Sequence, residues 1–371
     1  NEACLAGKEI EQVLECFARG HISGNGPFTK KCEALIARVL GAPRVLLTTS
    51  CTHALEMAAL LLRLSSRDEV IVPSFTFVST VNAFVLRGAK PVFADIREDT
   101  LNLDERRLEG LITPRTRAIV PVHYAGVGCN MKSIMQVARR HGIAVVEDNA
   151  HGFMGKYDGR PLGTFGALAT LSFHETKNLT CGEGGALVLN DPSLVERAEI
   201  LRDKGTDRAK FFRGEVDKYS WRDVGSSYVM SDILAAFLYA QLRGRTRIQK
   251  RRQAIWKRYY REIQPWAARH EVKMPCIPPG VEHPAHLFYL VFPAGPQRDR
   301  MIAYLKSRGV LSVFHYVPLH LSPMGRRFGG RAGDCPVTES VSRCLLRLPM
   351  YVGMTEREQS LVIRLVQECP L

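Results

Sequence analysis

The 371-residue sequence has no C-x-x-C pair among its ten cysteines, no apolar run of bilayer length, no internal repeat and no low-complexity tract. It is also short of acid, with 37 Asp and Glu against 51 Lys and Arg. Each shortage excludes something. Without a C-x-x-C pair or a Cys/His cluster of zinc spacing, no metal site is expected and the thiols read as reduced, mostly buried small hydrophobes. The stretch 55–62 is interrupted by Glu56, and nothing approaches the roughly 18 to 20 apolar residues that cross a membrane. Residues 1–11 lack the basic-then-apolar order of a signal peptide, so the chain reads as cytoplasmic. A hydrophobic fraction of 46% with 30 Gly and 20 Pro excludes disorder and collagen-like repeats, and the length admits roughly two to three domain-sized units.

What is present in excess is positive charge, +14 in all. An anionic partner follows, and nucleic acid, an acidic membrane face and a phosphorylated metabolite are all open on charge alone. Residues 202–262 hold 16 Lys and Arg and 7 Asp and Glu, so 16 minus 7 places +9 there. Nine of the basic residues fall in 243–261, a predicted helix whose charged side reads as solvated. No helix-turn-helix, RNP or zinc-finger pattern accompanies them, which argues against nucleic acid. In 202–222 the sequence is loop-like, with 7 basic and 4 acidic residues. A phosphate or diphosphate contact is expected in that stretch.

Apolar runs rich in Val, Ile, Leu and Phe recur at 44–48, 69–73, 91–94, 118–123, 143–147, 167–173 and 186–190, most of them followed by a helical pattern. Such alternation predicts an α/β fold with a mostly parallel seven-stranded sheet. The expected division is a large domain with its N-terminal segment over 1–230, a connecting helical region over 231–266 that ends near Pro265, and a small C-terminal α+β domain over 267–371. In the last, strands are expected at 286–292 and 310–314 and helices at 297–307, 338–346 and 355–368.

Ligands of open α/β sheets gather at the carboxyl ends of the strands, and four strand ends here carry unusual residues. At 48–55, TTSCTHAL runs through hydroxyls into an apolar helix, an arrangement that suits a phosphate at the helix N-terminus, although N-capping accounts for the same residues. At 145–151, VVEDNAH ends a buried strand on two carboxylates, which need a metal, an Arg or a protonated ring nitrogen to meet them. At 172–185, SFHETKNLTCGEGG places Lys177 after a strand end and before a Gly-rich turn. A lysine desolvated there can have its pKa lowered enough to act as nucleophile or base. At 72–77, VPSFTF offers aromatic cover for a planar ligand, or ordinary core. Phosphate cup, aromatic cover, carboxylate for a ring and lysine for an aldehyde together describe pyridoxal 5′-phosphate.

The S-F-x-x-x-K-x-x-x-x-G-E-G-G string at 172–185 resembles that of the DegT/DnrJ-type sugar aminotransferases, within the fold-type I, aspartate aminotransferase-like pyridoxal phosphate enzymes. The strings SFHETKN at 172–178, FFRGEVDKYSWRDVGSSY at 211–228 and FHYVPLH at 314–320 are similar to the dTDP-4-amino-4,6-dideoxygalactose transaminases of enterobacterial common antigen synthesis. The resemblance implies that Lys177 bonds to the cofactor aldehyde and shuttles the substrate proton, while Asp148 pairs with the pyridine nitrogen. It further implies that Phe77 stacks on the ring, His151 lies near its other face or phenolic oxygen, and Cys51, Thr52 and Ser172 hold the phosphate. Two departures stand out: Cys51 replaces a common Gly, and Ser227-Tyr228-Val229 replaces an N-Y-R triplet whose Asn reaches the partner's cofactor. By the same resemblance the chain is a homodimer or higher assembly sharing its active sites, with Ser227 giving a weaker cross-subunit contact. Arg213, His315, Tyr316 and His320 become candidates for the nucleotide-sugar side, and L-glutamate the amino donor. A related sugar dehydratase would have His where Lys177 stands. Another nucleotide sugar, a 3-keto position or a non-catalytic cofactor-binding regulator are the alternatives.

Overall fold

The computed structural model describes residues 3, 5 and 7–371, so Cys4 lies outside the described residues. Seven strands form the central sheet: β1 (Arg44–Thr48), β2 (Glu69–Pro73), β3 (Lys90–Ala94), β4 (Thr116–Ile119), β5 (Ala144–Asp148), β6 (Leu168–Ser172) and β7 (Gly185–Leu189). Their order is β1-β7-β6-β5-β4-β2-β3, with β7 antiparallel to both its neighbours and every other pair parallel. Six strands therefore end on one edge of the sheet, and the antiparallel β7 starts there. Thr48 and Ser172, last residues of β1 and β6, both lie opposite Gly185, the first of β7.

The apolar runs form strands because the sheet is covered on both faces. Val72 and Val146 pack with the helices Cys51–Leu61 and Val78–Val85, while their neighbours Ile71 and Val145 point the other way, onto Met131–His141. Helix Met131–His141 is bounded by local chemistry: the Asn130 side chain accepts from Ser133 N–H, and Gly142 takes the left-handed φ of 64° that ends it. Burial also explains the thiols, since seven of the nine described cysteines are buried and all nine are free.

Helix Asp232–Arg269 is 38 residues long and runs through Pro265 rather than ending there. A proline inside a helix costs about 3 kcal/mol, but the next residue, Trp266, is only 2% exposed, and burying such a side chain offsets a cost of that size. The last turns of this helix belong to the C-terminal core, where Ile255, Tyr259 and Trp266 pack with Phe288, Leu346 and Val362. Its basic side is only partly solvated. Arg252 is buried and donates to the carbonyls of Ala285 and His286 at 3.0 and 2.5 Å, and Arg258 donates to Ser360 Oγ at 2.7 Å.

In the C-terminal part the strands are β8 (Phe288–Val291) and β9 (Leu345–Leu348), paired antiparallel. The expected strand at 310–314 is reduced to a bridge between Val313 and Arg347. The expected helix at 338–346 stops earlier, as Pro336–Cys344, because Leu345 and Leu346 are needed in β9. No helix of the described residues is long and apolar enough to cross a membrane, and no cluster of metal-ligating side chains occurs among them.

Candidate active site

A cavity of about 630 Å³ opens at the carboxyl edge of the sheet. Its floor comes from the strand ends that the sequence singled out. Cys51, Thr52, Phe77, Asp148 and His151 line it, as do Ser172 and Lys177. The wall facing them is from the C-terminal part and includes His286, His315, Tyr316 and Arg347.

The turn at 182–185 explains how Lys177 comes to face the start of the 51–61 helix. A Cβ on Gly185 would lie 2.3 Å from Cys51 N and 2.3 Å from Ser50 C, so only glycine lets β7 pass this close to the helix N-terminus. Ser50 caps that helix, its hydroxyl accepting from His53 N–H at 3.1 Å. The amides at 51 and 52 precede any intrahelical pairing and carry the positive end of the helix dipole. Thr52 Oγ1 donates to Ser79 Oγ at 2.9 Å. Burial, together with the Asp148 charge, pushes the Cys51 thiol up to about 12, so it is a neutral S–H and does not repel an anion.

Asp148 ends β5 and is buried. Its Oδ2 accepts from Thr80 Oγ1 at 2.7 Å and its Oδ1 from Ala150 N–H at 3.2 Å. Its neighbour Glu147 points to the other face, where it accepts from Gly163, Phe165 and Gly166 amides and meets His123 Nε2 at 3.0 Å. The two adjacent carboxylates thus separate into one satisfied by backbone and one left facing the cavity. Lys177 Nζ has no carboxylate within ion-pair distance among the described residues. Burial lowers its pKa to about 8, against the raising influence of Asp148.

His151 and His286 stack at 4.2 Å, and burial drives both well below the usual histidine range, so both are neutral. Asn178 Nδ2 donates to Pro284 O at 2.7 Å, which leaves Asn178 Oδ1 to accept from His286 Nδ1 at 2.9 Å. His151 Nδ1 is buried with no hydrogen-bond partner among the described residues. Phe77, 59% exposed, stands at the mouth.

These residues fit pyridoxal phosphate on the chemistry of the donor set. A helix N-terminus with hydroxyls suits the phosphate, a carboxylate suits a ring nitrogen, and a part-neutral lysine suits an aldehyde. The unpartnered His151 Nδ1 is what a site shaped for a polar ring leaves open.

The sequence model of the DegT/DnrJ/EryC1/StrS aminotransferase family matches residues 3–367. The chain belongs to that family. It is 35% identical over 373 residues to the spore coat polysaccharide biosynthesis protein SpsC of Bacillus subtilis, covering 98% of this chain and 95% of that one. It is 32% identical over 362 residues to a pleiotropic regulatory protein of Geobacillus stearothermophilus, covering 97% and 94%. The aminotransferase TlmJ of Streptoalloteichus hindustanus superposes with a TM-score of 0.90 at 32% identity, over 99% of this chain and 96% of that one. The sugar aminotransferase Spr1654 of Streptococcus pneumoniae, in its PMP form, does so with 0.92 at 26%, over 99% and 97%. It has been solved in PLP form as well. The fold is that of the fold-type I aminotransferases, and pyridoxal phosphate is the cofactor.

Three expected residues stand apart from the cavity. His320 is fully buried between Ser74 Oγ, 2.6 Å from its Nδ1, and Glu339 Oε1, 3.1 Å from its Nε2. It is a strut between the two parts of the molecule, which corrects its assignment to the substrate. Arg213 pairs with Glu199 at 2.8 Å and Glu215 at 2.6 Å and does not line the cavity of its own chain. Ser227 is exposed and outside it as well. Much of the basic excess over 202–222 is internally paired: Arg202 with Glu33, Lys210 with Glu196 and Arg222 with Asp207. Residues that sequence reasoning missed are Thr80, His286, Tyr124 and Arg347. None lies in a recognisable motif, and Arg347 sits just beyond a segment read as helix.

Proposed function

We propose that this chain is a nucleotide-sugar aminotransferase that moves the amino group of L-glutamate to C4 of dTDP-4-keto-6-deoxy-D-glucose, giving dTDP-4-amino-4,6-dideoxy-D-galactose and 2-oxoglutarate. The observation that carries the reaction class is the half-buried Lys177, with its lowered pKa, facing Asp148 across one cavity. The choice of sugar rests on the strings at 172–178, 211–228 and 314–320. When bound, pyridoxal phosphate supplies an electron sink for the carbon that loses a proton. Asp148, fixed by Thr80, would hold the pyridine nitrogen. Cys51, Thr52 and Ser172 would hold the phosphate, and Phe77 would cover the ring. A lysine whose pKa is about 8 is poised both to take the substrate proton and to return it, which makes Lys177 the general base and acid. His315 and Tyr316 line the same cavity and would meet the sugar.

The chain is proposed to work as a cytoplasmic homodimer in which Ser227 and Arg213 serve the partner's site. Phe212 and Trp221, 64% and 81% exposed, flank these residues and support a covered surface there. Incubation with L-glutamate and a panel of dTDP-4-keto, dTDP-3-keto and UDP-4-keto sugars, read by mass spectrometry, tests the assignment. Amino product from the dTDP-4-keto sugar alone is expected. Product only from another member would move the sugar. No product, and no loss of the cofactor's aldehyde absorbance with any amino acid, would favour a non-catalytic regulator, a reading that the name of the Geobacillus relative brings up.

A further inference from the structure

A second cavity, of about 290 Å³, lies on the face of the sheet that helix Met131–His141 covers. That helix forms one wall and the hairpin of Lys156–Tyr157 and Arg160–Pro161 the other, and no residue lines both this cavity and the catalytic one. The hairpin turns on Asp158 and Gly159, with φ of 48° and 76°, the two-residue turn that an Asp-Gly pair favours. This turn sets Tyr157 opposite Arg160, so both side chains leave the hairpin on one face. On the helix, Met131, Met135 and Arg139 follow at intervals of four residues and form one row.

The floor of this cavity is apolar and its rim is basic. Met131 is buried, and Met135, Tyr157 and Phe165 are half-buried. The two rings meet edge to face at 5.9 Å, and the Tyr157 hydroxyl is fixed by donating to Asn130 Oδ1 at 3.0 Å. Lys132, Arg139 and Arg160 stand exposed at the rim, and none has a carboxylate within ion-pair distance among the described residues. Arg160 is aimed rather than paired: its Nε donates to Thr164 Oγ1 at 3.0 Å, its Nη2 to Thr164 O, and its guanidinium carbon lies 4.6 Å from the Phe165 ring centre. Basic residues close by do meet acids, Arg140 and His141 at Glu109 and Arg115 at Glu69. The basic cavity around Arg44 and Arg202 differs in the same way, since Glu33 and Glu199 pair with its arginines.

Among the lining residues Asp158 alone is a carboxylate, so three cations against one acid leave the cavity at +2. That balance matches the dianion of a phosphate monoester, whereas a carboxylate brings a single charge. The apolar floor with its two aromatic edges asks for a flat ring, which a sugar phosphate lacks. The volume falls at the lower end of the range for small-molecule pockets, about 300 to 1,000 Å³, and suits a mononucleotide better than a nucleotide sugar. We propose that this cavity binds a nucleoside monophosphate, with its base on the Met135 and Phe165 floor and its phosphate among Lys132, Arg139 and Arg160. The site stands apart from the catalytic cavity and does not depend on the transamination reading.

Holoenzyme carrying isotope-labelled methionine methyl groups tests this by NMR, with Met131→Leu and Met135→Leu assigning the two signals. AMP or dTMP should shift both methyls saturably, while adenosine and inorganic phosphate alone should do so only at far higher concentration. The double variant Lys132→Gln with Arg139→Gln, altered only at exposed positions, should weaken the nucleotide by about 10-fold, the loss expected with a charged hydrogen bond. Its cofactor absorbance should match wild type, because neither residue lines the catalytic cavity. Inorganic phosphate binding as well as AMP would overturn the assignment to a nucleoside, and adenosine binding as well as AMP would overturn the role of the basic rim. Met230 packs beside Gly184 of the catalytic cavity. A shift confined to Met230, or none at Met131 and Met135, or equal affinity in wild type and the double variant, would overturn the site.

Discussion

The Thr80 hydroxyl donates to Asp148 Oδ2 across 2.7 Å from the helix Val78–Val85, so the carboxylate that faces the cavity is aimed by an element on the covered face of the sheet. Asp148→Asn should lower turnover by about 10²- to 10³-fold, the usual cost of removing a preorganised charge from a reacting site. Thr80→Val keeps the charge and loses only its aim, and about a 3- to 10-fold loss is expected, from a hydrogen bond worth about 1 kcal/mol. Steady-state kcat at saturating donor separates the two. An Asp148→Asn enzyme at wild-type rate would contradict the role given to this residue.

The lowered pKa of Lys177 has a defined sign. Burial brings it from 10.5 to about 8, so between those values the unfolded chain binds the proton and the folded chain does not. Stability of the cofactor-free protein should therefore rise with pH across about 8 to 10.5, and Lys177→Ala should remove that rise. The rate at which cofactor-free protein takes up pyridoxal phosphate should climb with a midpoint near pH 8, as the neutral amine appears. A midpoint at the ordinary lysine value would show that the residue is not desolvated.

His320 joins Ser74 to Glu339 in the interior, at 2.6 and 3.1 Å. His320→Ala should destabilise the fold by about 1 to 3 kcal/mol, because it leaves buried polar partners unmet. Urea unfolding measures this, and KM for either substrate should move little. A large rise in sugar KM at unchanged stability would return His320 to the substrate.

Much of the site was legible in the sequence because strand ends in α/β sheets collect ligands and the residues there were chemically unusual. Lys177, Asp148, Cys51 and Phe77 were found in this way, and the structure brings them to one cavity. The sheet was legible too, since strands buried on both faces read as continuous apolar runs. The C-terminal wall was not. Its residues come from short strands and loops with no period to follow: Arg347 lies in a four-residue strand directly after a helix, and His286 acts through a tautomer fixed by Asn178. Pro265 misled in the opposite direction, because tertiary burial of Trp266 outweighs a local helix breaker. His320 shared a motif with two cavity residues, but motif proximity does not say which way a side chain points.

The central claim is that Lys177 carries the cofactor in a transaminating site, and reductive trapping tests it most directly. Holoenzyme treated with borohydride and mapped by mass spectrometry should carry the pyridoxyl group on Lys177. The same protein exposed to L-glutamate before reduction should carry little of it, because the lysine has been released. Labelling spread over surface lysines, or labelling of Lys177 that no amino acid removes, would contradict the account.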